Sequence, residues 1–404
     1  MIKKNYTFLI PCKTRFRWKK NTSKGLKRSD ELRINPDAIV RIVGNTSLII
    51  LGLFKAFWIN MDIEKEKNFF LDKKKVKDFE YSVLINNDIL TKYDDKNKYP
   101  IIKKYNECLD AYYAALEITD NCNCYCPHCY GAFWKNKTKK PVSLSLLKKR
   151  ISKLEKFGII YLEITGGEPT LRKDLDKITR YVLNKKMKYC IPTNAISVSE
   201  DNFESFKNAD SVIVSLDGNR EFHDKYRGVK GCYDKAINLL KELRKFGVKT
   251  YISFTMFSSN VKYVPHIIEV SKKVKAQVIF QRVLGNDHSF SLEETNIKFP
   301  KNSRYKTIKP PKEKNAEYLY FGCNMGIKDI FIKTNGDVLP CIYMRYKTLG
   351  NIDNITLKNL KNEIKKLRME KQIFVKCNNC KYNKVCGGPC RYSKLYSELK
   401  SKLR

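Results

Sequence analysis

The 404-residue sequence predicts an α/β fold with a parallel sheet or partial barrel at its centre. Strand-like and helix-like segments alternate through the middle of the chain, with about six strands in all. Two of the predicted helices end in the tripeptide KFG, at 156–158 and 245–247, where glycine can adopt the left-handed conformation that ends a helix. The first predicted strand leads directly into a cysteine cluster, and in such folds the chemistry lies at the carboxyl ends of the strands.

The individual elements follow from the spacing of the apolar residues. The segment AYYAALEIT, at 111–119, has the character of a buried strand. A helix is predicted for 143–157, because leucine and isoleucine recur there at helical spacing until Gly158 ends the pattern. The remaining predicted strands are IIYLEIT, YCIPT, SVIVSL, VKTYISFTMF and AQVIFQRV, and the remaining helices cover 171–184, the surroundings of Phe203, 233–246 and 261–274.

Composition divides the chain into three predicted domains. Residues 1–108 carry no clustered cysteines and no catalytic motif, residues 109–318 hold the alternating strands and helices, and residues 319–404 are turn-rich and cysteine-rich. We therefore predict an N-terminal domain, a central barrel domain and a C-terminal cysteine-rich domain.

Charge and apolar stretches bear on location and partners. The formal net charge is +38, from 80 Lys and Arg against 42 Asp and Glu. This charge attracts anionic partners such as acidic peptides or nucleic acid, although lysines spread along the whole chain also fit simple surface coverage. The apolar run at 48–60 is too short to span the ~30 Å of a bilayer core, and the N-terminus makes a poor secretory signal. We predict a cytoplasmic protein with no membrane partner, in which crowded thiols hold metal.

The stretch CNCYCPHCY begins at Cys122 and ends at Tyr130. Cys122, Cys126 and Cys129 are separated by three and then two residues. Thiolates this close can hold one iron–sulfur cube and leave one iron without a protein ligand. The alternative is a structural zinc site, where the same gaps occur. Cys124 lies in the wrong register and is interpreted as a spare thiol.

The spacing of these cysteines resembles that of the radical S-adenosylmethionine (radical SAM) superfamily, whose cysteines follow the first strand of a partial (β/α)6, TIM-like barrel. Further motifs stand after the next three predicted strands, in the order that the family shows: TGGEP at 165–169, PTNA at 192–195, and SLDG at 215–218 with HDKYRG at 223–228. Motifs at four successive strand ends favour this family over the zinc site. The resemblance implies that Cys122, Cys126 and Cys129 bind a [4Fe–4S] cluster and form the catalytic centre.

The same resemblance implies which residues bind SAM. In relatives the GGEP stretch binds the amino group of the methionine moiety, and an arginine at the position of Arg227 lies near the carboxylate. Ser215 and Asp217 match residues near the ribose, and His128 would stack on the adenine. PTNA has alanine where the family has glycine. The predicted SAM-binding set is Gly166, Gly167, Glu168, Pro169, Asn194, Ser215, Asp217, Arg227 and His128.

By this resemblance, the reaction starts with reductive cleavage of SAM. A donor such as ferredoxin or flavodoxin reduces the cluster, the cluster passes one electron to SAM, and a 5′-deoxyadenosyl radical abstracts hydrogen from the substrate. The protein has to position that hydrogen and exclude water and oxygen. The sequence therefore predicts a radical SAM enzyme.

The C-terminal cysteines resemble the SPASM domain, an auxiliary-cluster module of many radical SAM enzymes. The resemblance implies that Cys323, Cys341 and Cys390 serve one auxiliary iron–sulfur cluster and that Cys377, Cys380 and Cys386 serve a second. Six of the pattern's seven cysteines are present, and neither set of three has a fourth thiolate within the pattern. Four explanations stay open: a non-cysteine ligand, a distant thiol such as Cys12 or Cys108, an iron open to substrate, or a lost tail. A zinc-ribbon-like site made by the last four cysteines is the alternative.

The N-terminal domain has two interpretations. Peptide-modifying SPASM enzymes often begin with a small α+β winged-helix module that binds a leader peptide as an added strand. Residues 30–95 fit such a module diffusely, with short strands near IVRIVG and TSLIIL, a helix around 74–84 and a turn at Asn86 and Asn87. An unrelated cap is the other interpretation.

Together these features predict an enzyme that modifies a peptide or small protein. The favoured substrate is a ribosomally synthesised (RiPP) precursor with an acidic leader peptide, modified by crosslinking, thioether formation or epimerisation. Ile342 stands where sulfatase-maturing relatives carry an aspartate base, which argues against that activity. The alternatives are maturation of a cofactor or metalloenzyme, nucleic-acid modification, which only the charge suggests, and a non-enzymatic electron carrier, which needs no GGEP motif.

Overall fold

The computed structural model describes residues 33–34, 37–43, 46–52, 55–59, 90–91, 100–131, 141–257, 259–282, 329–345 and 347–369. These residues fall into two compact units. The first contains the described residues up to Cys108, and the second contains those from Leu109 onward.

The first unit is built from short strands. They are β1 (Arg33–Ile34), β2 (Ile39–Val43), β3 (Thr46–Gly52), β4 (Lys55–Ile59), β5 (Leu90–Thr91) and β6 (Ile101–Tyr105). Four of them form a sheet in the order β4-β3-β2-β6, while β1 pairs with β5. The hairpin β2–β3 is antiparallel, and β6 runs parallel to β2. This confirms the strands predicted near IVRIVG and TSLIIL, whereas the helix predicted around 74–84 and the turn at Asn86 lie outside the described residues.

The second unit is organised by an eight-stranded sheet. Its strands are β7 (Tyr113–Thr119), β8 (Tyr161–Gly166), β9 (Lys188–Thr193), β10 (Ser211–Ser215), β11 (Lys249–Met256), β12 (Gln277–Arg282), β13 (Asp329–Ile332) and β14 (Val338–Leu339). Its helices are α1 (Leu144–Lys156), α2 (Leu175–Asn184), α3 (Glu200–Lys207), α4 (Arg220–Arg227), α5 (Cys232–Lys245), α6 (Val264–Val274) and α7 (Leu357–Met369).

The strand order makes this sheet a partial barrel. From β7 to β12 each strand pairs in parallel with its predecessor in the chain, which is the arrangement that repeated βα units produce. Among the described strands the edges are β12 and β14, so the sheet does not close. The six predicted strands and the predicted α/β class are confirmed. The sheet continues beyond β7 through β13, which pairs with it in parallel, and β14 follows antiparallel.

Helix α1 shows how the local sequence specifies the helices of the second unit. The side chain of Ser143 caps its first turn by accepting a hydrogen bond from the backbone N of Leu146, at 3.3 Å. Leu147, Ile151 and Leu154 recur at helical spacing and are fully buried. Gly158 follows the helix with φ 93°, as the KFG signal predicts.

Two helices were not expected from the sequence. Helix α4 has eight residues; its buried side chains are His223 and Arg227, and its apolar face is limited to Phe222 and Tyr226, which pack against Phe257. Helix α7 lies in the block interpreted as turn-rich, although Leu360, Ile364 and Leu367 are spaced as on a helix and are buried there. None of the described helices has the length and apolar character needed to span a bilayer.

Candidate active site

The loop that follows β7 carries the first cysteine cluster. Cys126 is buried, and Cys122 and Cys129 are half-buried. The backbone N of Cys129 donates to the carbonyl oxygen of Cys126 at 3.2 Å, and the backbone N of Tyr125 donates to the carbonyl oxygen of Arg227 at 3.0 Å. The loop is therefore fastened to itself and to the end of α4, which gives the three thiols a defined placement.

The GGE segment after β8 lies directly against this cysteine loop. Backbone hydrogen bonds of 2.8 Å run from Gly167 N to the carbonyl oxygen of Thr119 and from Glu168 N to that of Asn121. A Cβ on Gly166 would lie 2.2 Å from the Thr119 oxygen, and one on Gly167 would lie 2.1 Å from the Asn121 oxygen. The contact of these glycines with SAM, which the resemblance implies, stays a prediction. In the structure they admit the cysteine loop, because no side chain fits between the two backbones.

The thiol of Cys124 is buried beside those of Cys122 and Cys126. Its side chain hydrogen-bonds to those of Cys122 and Cys126. This hydrogen bonding lowers the pKa of Cys122 and, together with the charge of Arg227, the pKa of Cys126. It raises the pKa of Cys124 itself. The sequence indicated a spare thiol, and the structure shows one that favours the thiolate form of two predicted ligands.

Glu168 is buried in a cradle of donors. Its Oε1 accepts from the backbone N and the hydroxyl of Thr170, at 3.2 and 2.7 Å, and from the hydroxyl of Thr193 at 2.8 Å. Its Oε2 accepts from the backbone N of Asn194 at 2.8 Å. Burial raises the pKa of Glu168, and these hydrogen bonds oppose the rise. Because a carboxylate offers about four acceptor positions, Oε2 can still accept from an ammonium group.

Asn194 joins the end of β9 to the cysteine loop. Its Nδ2 donates to Oδ1 of Asn123 at 2.7 Å, and its Oδ1 accepts from the backbone N of Ile196 at 2.9 Å. Asn123 in turn donates from Nδ2 to the hydroxyl of Ser197, at 2.9 Å. Asn194 therefore positions the loop, and its predicted contact with SAM stays a prediction.

Ala195 adopts the conformation that the family's glycine would favour. Its φ is 67°, in the left-handed region, where a Cβ costs roughly 1–2 kcal/mol. We expect Ala195→Gly to raise the free energy of unfolding by about 0.5–1 kcal/mol, since the relieved strain exceeds the entropy that glycine adds to the unfolded chain. Urea unfolding of the metal-free protein measures this. A clear loss of stability would contradict it, and Ala209→Gly, near a helix end without positive φ, is the matched control.

Asp217 and Arg227 form a buried ion pair after β10. Oδ2 of Asp217 accepts from both Nε and an Nη of Arg227, each at 2.8 Å. Burial opposes ionisation, but the charge of Arg227 and its hydrogen bond hold the pKa of Asp217 below its usual value. The other oxygen, Oδ1, is buried and accepts no hydrogen bond from the described residues. This orphaned acceptor suits a ligand hydroxyl, as the predicted ribose contact requires.

His223 holds the backbone of this ion pair. Its Nδ1 accepts from the backbone N of Asp217 at 3.0 Å, so the ring carries its proton on Nε2. Burial lowers the pKa of His223 to about 3, which keeps the ring neutral.

His128 lies in an aromatic cluster. Its ring stacks on Tyr226 with the ring centres 5.3 Å apart and an interplanar angle of 7°, and Phe257 lies 6.0 Å away. Burial lowers the pKa of His128 to about 4, and its Nδ1 has no hydrogen-bond partner among the described residues. A neutral, stacked imidazole with an unsatisfied ring nitrogen is compatible with the predicted adenine contact.

The remaining predicted SAM-binding residues complete the strand ends. Pro169 is buried and begins a short 3-10 turn directly after Glu168. Ser215 is the last residue of β10, is half-buried and lies in register with Ser253 of β11. All the predicted residues for the SAM site thus follow β7 to β10, at the carboxyl ends of neighbouring strands.

The C-terminal cysteines are described only in part. Cys341 is half-buried and follows β14 by two residues. Ile342 is the residue that follows Cys341. The other predicted auxiliary-cluster ligands, Cys323, Cys377, Cys380, Cys386 and Cys390, lie outside the described residues.

No three His, Cys, Asp or Glu side chains within the described ranges come together as ligands of a single metal ion. Cysteine ligands of an iron–sulfur cube bind three different irons and therefore stand farther apart than ligands of one ion. Three thiols, those of Cys122, Cys126 and Cys129, lie on one loop and suit an iron–sulfur cluster. The open acceptor position of Glu168 and the unpaired Asp217 Oδ1 and His128 Nδ1 suit a polar cofactor beside that cluster.

Sequence reasoning missed residues that position this site. Arg172 donates from one Nη to the carbonyl oxygens of Ile118 and Val142, both at 2.8 Å, and so fixes the end of β7. Glu117 on β7 is buried and pairs with Arg345. Neither role has a local sequence signal, because each depends on partners distant in the chain.

Two protein-family models match this chain. The family model described as the radical SAM superfamily matches residues 116–270, and the SPASM model, described as an iron-sulfur cluster-binding domain, matches residues 323–381. An AdoMet-dependent heme synthase of Methanosarcina barkeri is 25% identical over 316 residues, which are 69% of this chain and 90% of that protein. The antilisterial bacteriocin subtilosin biosynthesis protein AlbA of Bacillus subtilis is 26% identical over 302 residues, 68% of this chain and 66% of that protein.

A solved structure shares the fold. Streptococcus suis SuiB bound to its precursor peptide SuiA superposes with a TM-score of 0.64 at 17% identity, over 91% of this chain and 97% of that chain. Matches to curated relatives span between 40% and 90% of those proteins.

Proposed function

Because this chain belongs to the radical SAM superfamily and carries an SPASM domain, we propose that it modifies a peptide by radical hydrogen abstraction. As a radical SAM enzyme it takes a [4Fe–4S] cluster and SAM, and its SPASM domain takes auxiliary iron–sulfur clusters. When bound, the cluster and SAM supply a radical strong enough to remove hydrogen from carbon. The proposal concerns the substrate on which this radical acts.

The residues of the site have separate tasks in this proposal. Cys122, Cys126 and Cys129 would hold the cluster. Glu168 would accept a hydrogen bond from the amino group of SAM, and Asp217 would accept one from a ribose hydroxyl. Arg227, whose charge Asp217 largely balances, lies close enough to the cysteine loop to favour its thiolates. An acidic one-electron donor such as ferredoxin or flavodoxin would suit the basic chain.

The observation that carries the peptide substrate is the similarity to AlbA, a bacteriocin biosynthesis protein, over two thirds of this chain. The N-terminal unit supports it in a second way. The sheet β4-β3-β2-β6 has β4 and β6 at its edges, and neither is covered by a further strand among the described residues. An edge strand can bind an extended peptide through main-chain hydrogen bonds. We therefore assign recognition of a leader peptide to residues 1–108, in a cytoplasmic enzyme whose thiols stay reduced.

The test has two stages that separate the radical chemistry from the substrate. Anaerobically reconstituted protein with dithionite and SAM should release 5′-deoxyadenosine, and Cys126→Ala should not. The protein is then co-produced with each short peptide encoded beside its gene, and the peptides are analysed by mass spectrometry. Loss of two hydrogens from one peptide, absent with Cys126→Ala, supports crosslinking. Deuterium uptake from heavy water at unchanged composition supports epimerisation. Cleavage of SAM with every peptide unaltered overturns the peptide substrate.

A second candidate is maturation of a tetrapyrrole cofactor. It is favoured by the match to an AdoMet-dependent heme synthase, which covers 90% of that protein. Incubation of the reconstituted enzyme with an iron porphyrin, followed by chromatography, distinguishes the two candidates. A new porphyrin product with SAM consumed would select this second function.

A further inference from the structure

The segment after Cys341 reaches back to the first barrel strand. Arg345 lies four residues beyond Cys341, and its two Nη atoms donate to Oε1 and Oε2 of Glu117, at 2.5 and 3.1 Å. The side chain of Glu117 is 6% exposed and that of Arg345 is 23% exposed, so this bidentate pair is largely shielded from water. Shielded charge pairs are held in one geometry and act on their surroundings more strongly than exposed ones.

The same guanidinium lies over an aromatic ring of the cysteine loop. The Cζ atom of Arg345 is 5.6 Å from the ring centre of Tyr130, the residue directly after Cys129. A cation over a tyrosine ring contributes about 0.5–2 kcal/mol, depending on desolvation. Arg345 thus contacts both ends of the radical SAM loop, through Glu117 before Cys122 and through Tyr130 after Cys129.

A second contact joins the same segments. The hydroxyl of Thr334 donates to Oδ2 of Asp120 at 2.7 Å, two residues before Cys122. Arg150 of α1 donates to the carbonyl oxygen of Thr334 and to both carboxylate oxygens of Asp353, each at 2.7 Å. Among the described residues, Arg345 and Arg150 both anchor the C-terminal segment, and of these two it is Arg345 that contacts Tyr130, the neighbour of the predicted ligand Cys129.

We propose that Arg345 is a positioning residue of the radical SAM site. Held by Glu117 and placed over the ring of Tyr130, it fixes the turn that carries Cys129 and balances the charge of Glu117 on the strand that leads into the cysteine loop. The C-terminal segment would then act on this loop through Arg345. The inference concerns the cluster and not the substrate, so it stands or falls independently of the peptide proposal.

Removal of the Arg345 charge and removal of the Glu117 charge are expected to shift the midpoint potential of the SAM-binding cluster in opposite directions. Arg345→Gln removes the positive charge. Because burial raises the pKa of Glu117, the potential is measured at alkaline pH, where the remaining carboxylate is ionised, disfavours the added electron and lowers the midpoint potential. Glu117→Gln leaves the positive charge and raises that potential. The double variant Glu117→Gln/Arg345→Gln removes both charges and should return close to the wild-type potential. A role limited to docking would not produce shifts of opposite sign.

The potentials are measured by an EPR-monitored redox titration of the reconstituted full chain, following the cluster signal that changes when SAM is added. Arg150→Gln is the matched control, because it removes a buried arginine that joins the same segments without a contact to Glu117 or Tyr130. We expect no change of potential in that variant. The proposal is overturned by single-variant shifts of equal sign, or by shifts no larger than that of Arg150→Gln.

Hydrogen exchange of the metal-free protein gives a readout without the cluster. Arg345→Gln should accelerate exchange of the amides at 126–131 by about tenfold, whereas Arg150→Gln should leave them unchanged. If Arg345→Gln does not fold, Arg345→Lys replaces it, since lysine keeps the charge but cannot bind both carboxylate oxygens as a planar fork. Wild-type exchange at 126–131 in the folded variant overturns the positioning role.

Discussion

Gly167→Ala is expected to abolish assembly of the SAM-binding cluster while the remainder of the barrel stays folded. An added Cβ would lie 2.1 Å from the carbonyl oxygen of Asn121 and 2.5 Å from its carbonyl carbon. These are backbone atoms at the root of the cysteine loop, so no side-chain rotation can relieve the clash. The loop has to move away, and the hydrogen bond from Glu168 N to the Asn121 oxygen is lost with it. Cys122, the next residue, is then displaced from the other thiols of the cysteine loop.

Iron and sulfide analysis after anaerobic reconstitution checks this result, with circular dichroism as the test of folding. The matched control is Gly247→Ala, where φ is 71° but no atom lies within 4 Å of an added Cβ. That variant carries only backbone strain of about 1 kcal/mol and should keep its full cluster content. An unchanged content of the SAM-binding cluster in Gly167→Ala would show that the loop is not held by this contact.

Glu168→Gln is expected to weaken SAM binding about 100-fold, from the loss of roughly 3 kcal/mol of charge-assisted hydrogen bonding. The carboxylate is matched to donors on every side, from Thr170, Thr193 and Asn194. A glutamine that keeps its oxygen toward the two threonines turns its NH₂ group toward the backbone N of Asn194, so two donors face each other. The variant also loses the negative charge that would bind an ammonium group.

Equilibrium binding of SAM to the reconstituted protein measures this loss, and the EPR spectrum of the reduced cluster shows whether the cluster itself is intact. Asp201→Asn removes an exposed carboxylate on α3 and should bind SAM as the wild type does. Equal affinity of Glu168→Gln and the wild type would remove Glu168 from the proposed SAM site.

The order of strands and the position of the site were predictable from local patterns. Strand periodicity located β7 to β12, and the motifs at 122–129, 165–169 and 192–195 stood at their ends, because a parallel sheet gathers those ends along one edge. Helix α4 escaped prediction because it has only eight residues and its fully buried side chains, His223 and Arg227, are polar.

Contacts between distant segments were not predictable. Glu117 and Arg345 are separated by 228 positions, and neither shows a pattern that would name its partner. The close approach of Gly166 to Thr119 and of Gly167 to Asn121 was also not predicted, because the sequence cannot show which backbone approaches a glycine. Cys124 was set aside on register alone, although folding places its thiol between two others.

Strand β13, from the C-terminal part of the chain, hydrogen-bonds to the first barrel strand. Its residues Asp329–Ile332 pair in parallel with Tyr113–Leu116, on the edge of β7 that faces away from β8. Exchange of C-terminal modules between enzymes of this superfamily would therefore exchange the neighbour of the first barrel strand. A transplanted module would have to supply a strand of matching length and register. Without one, the edge of β7 would expose unpaired backbone amides, which promotes self-association.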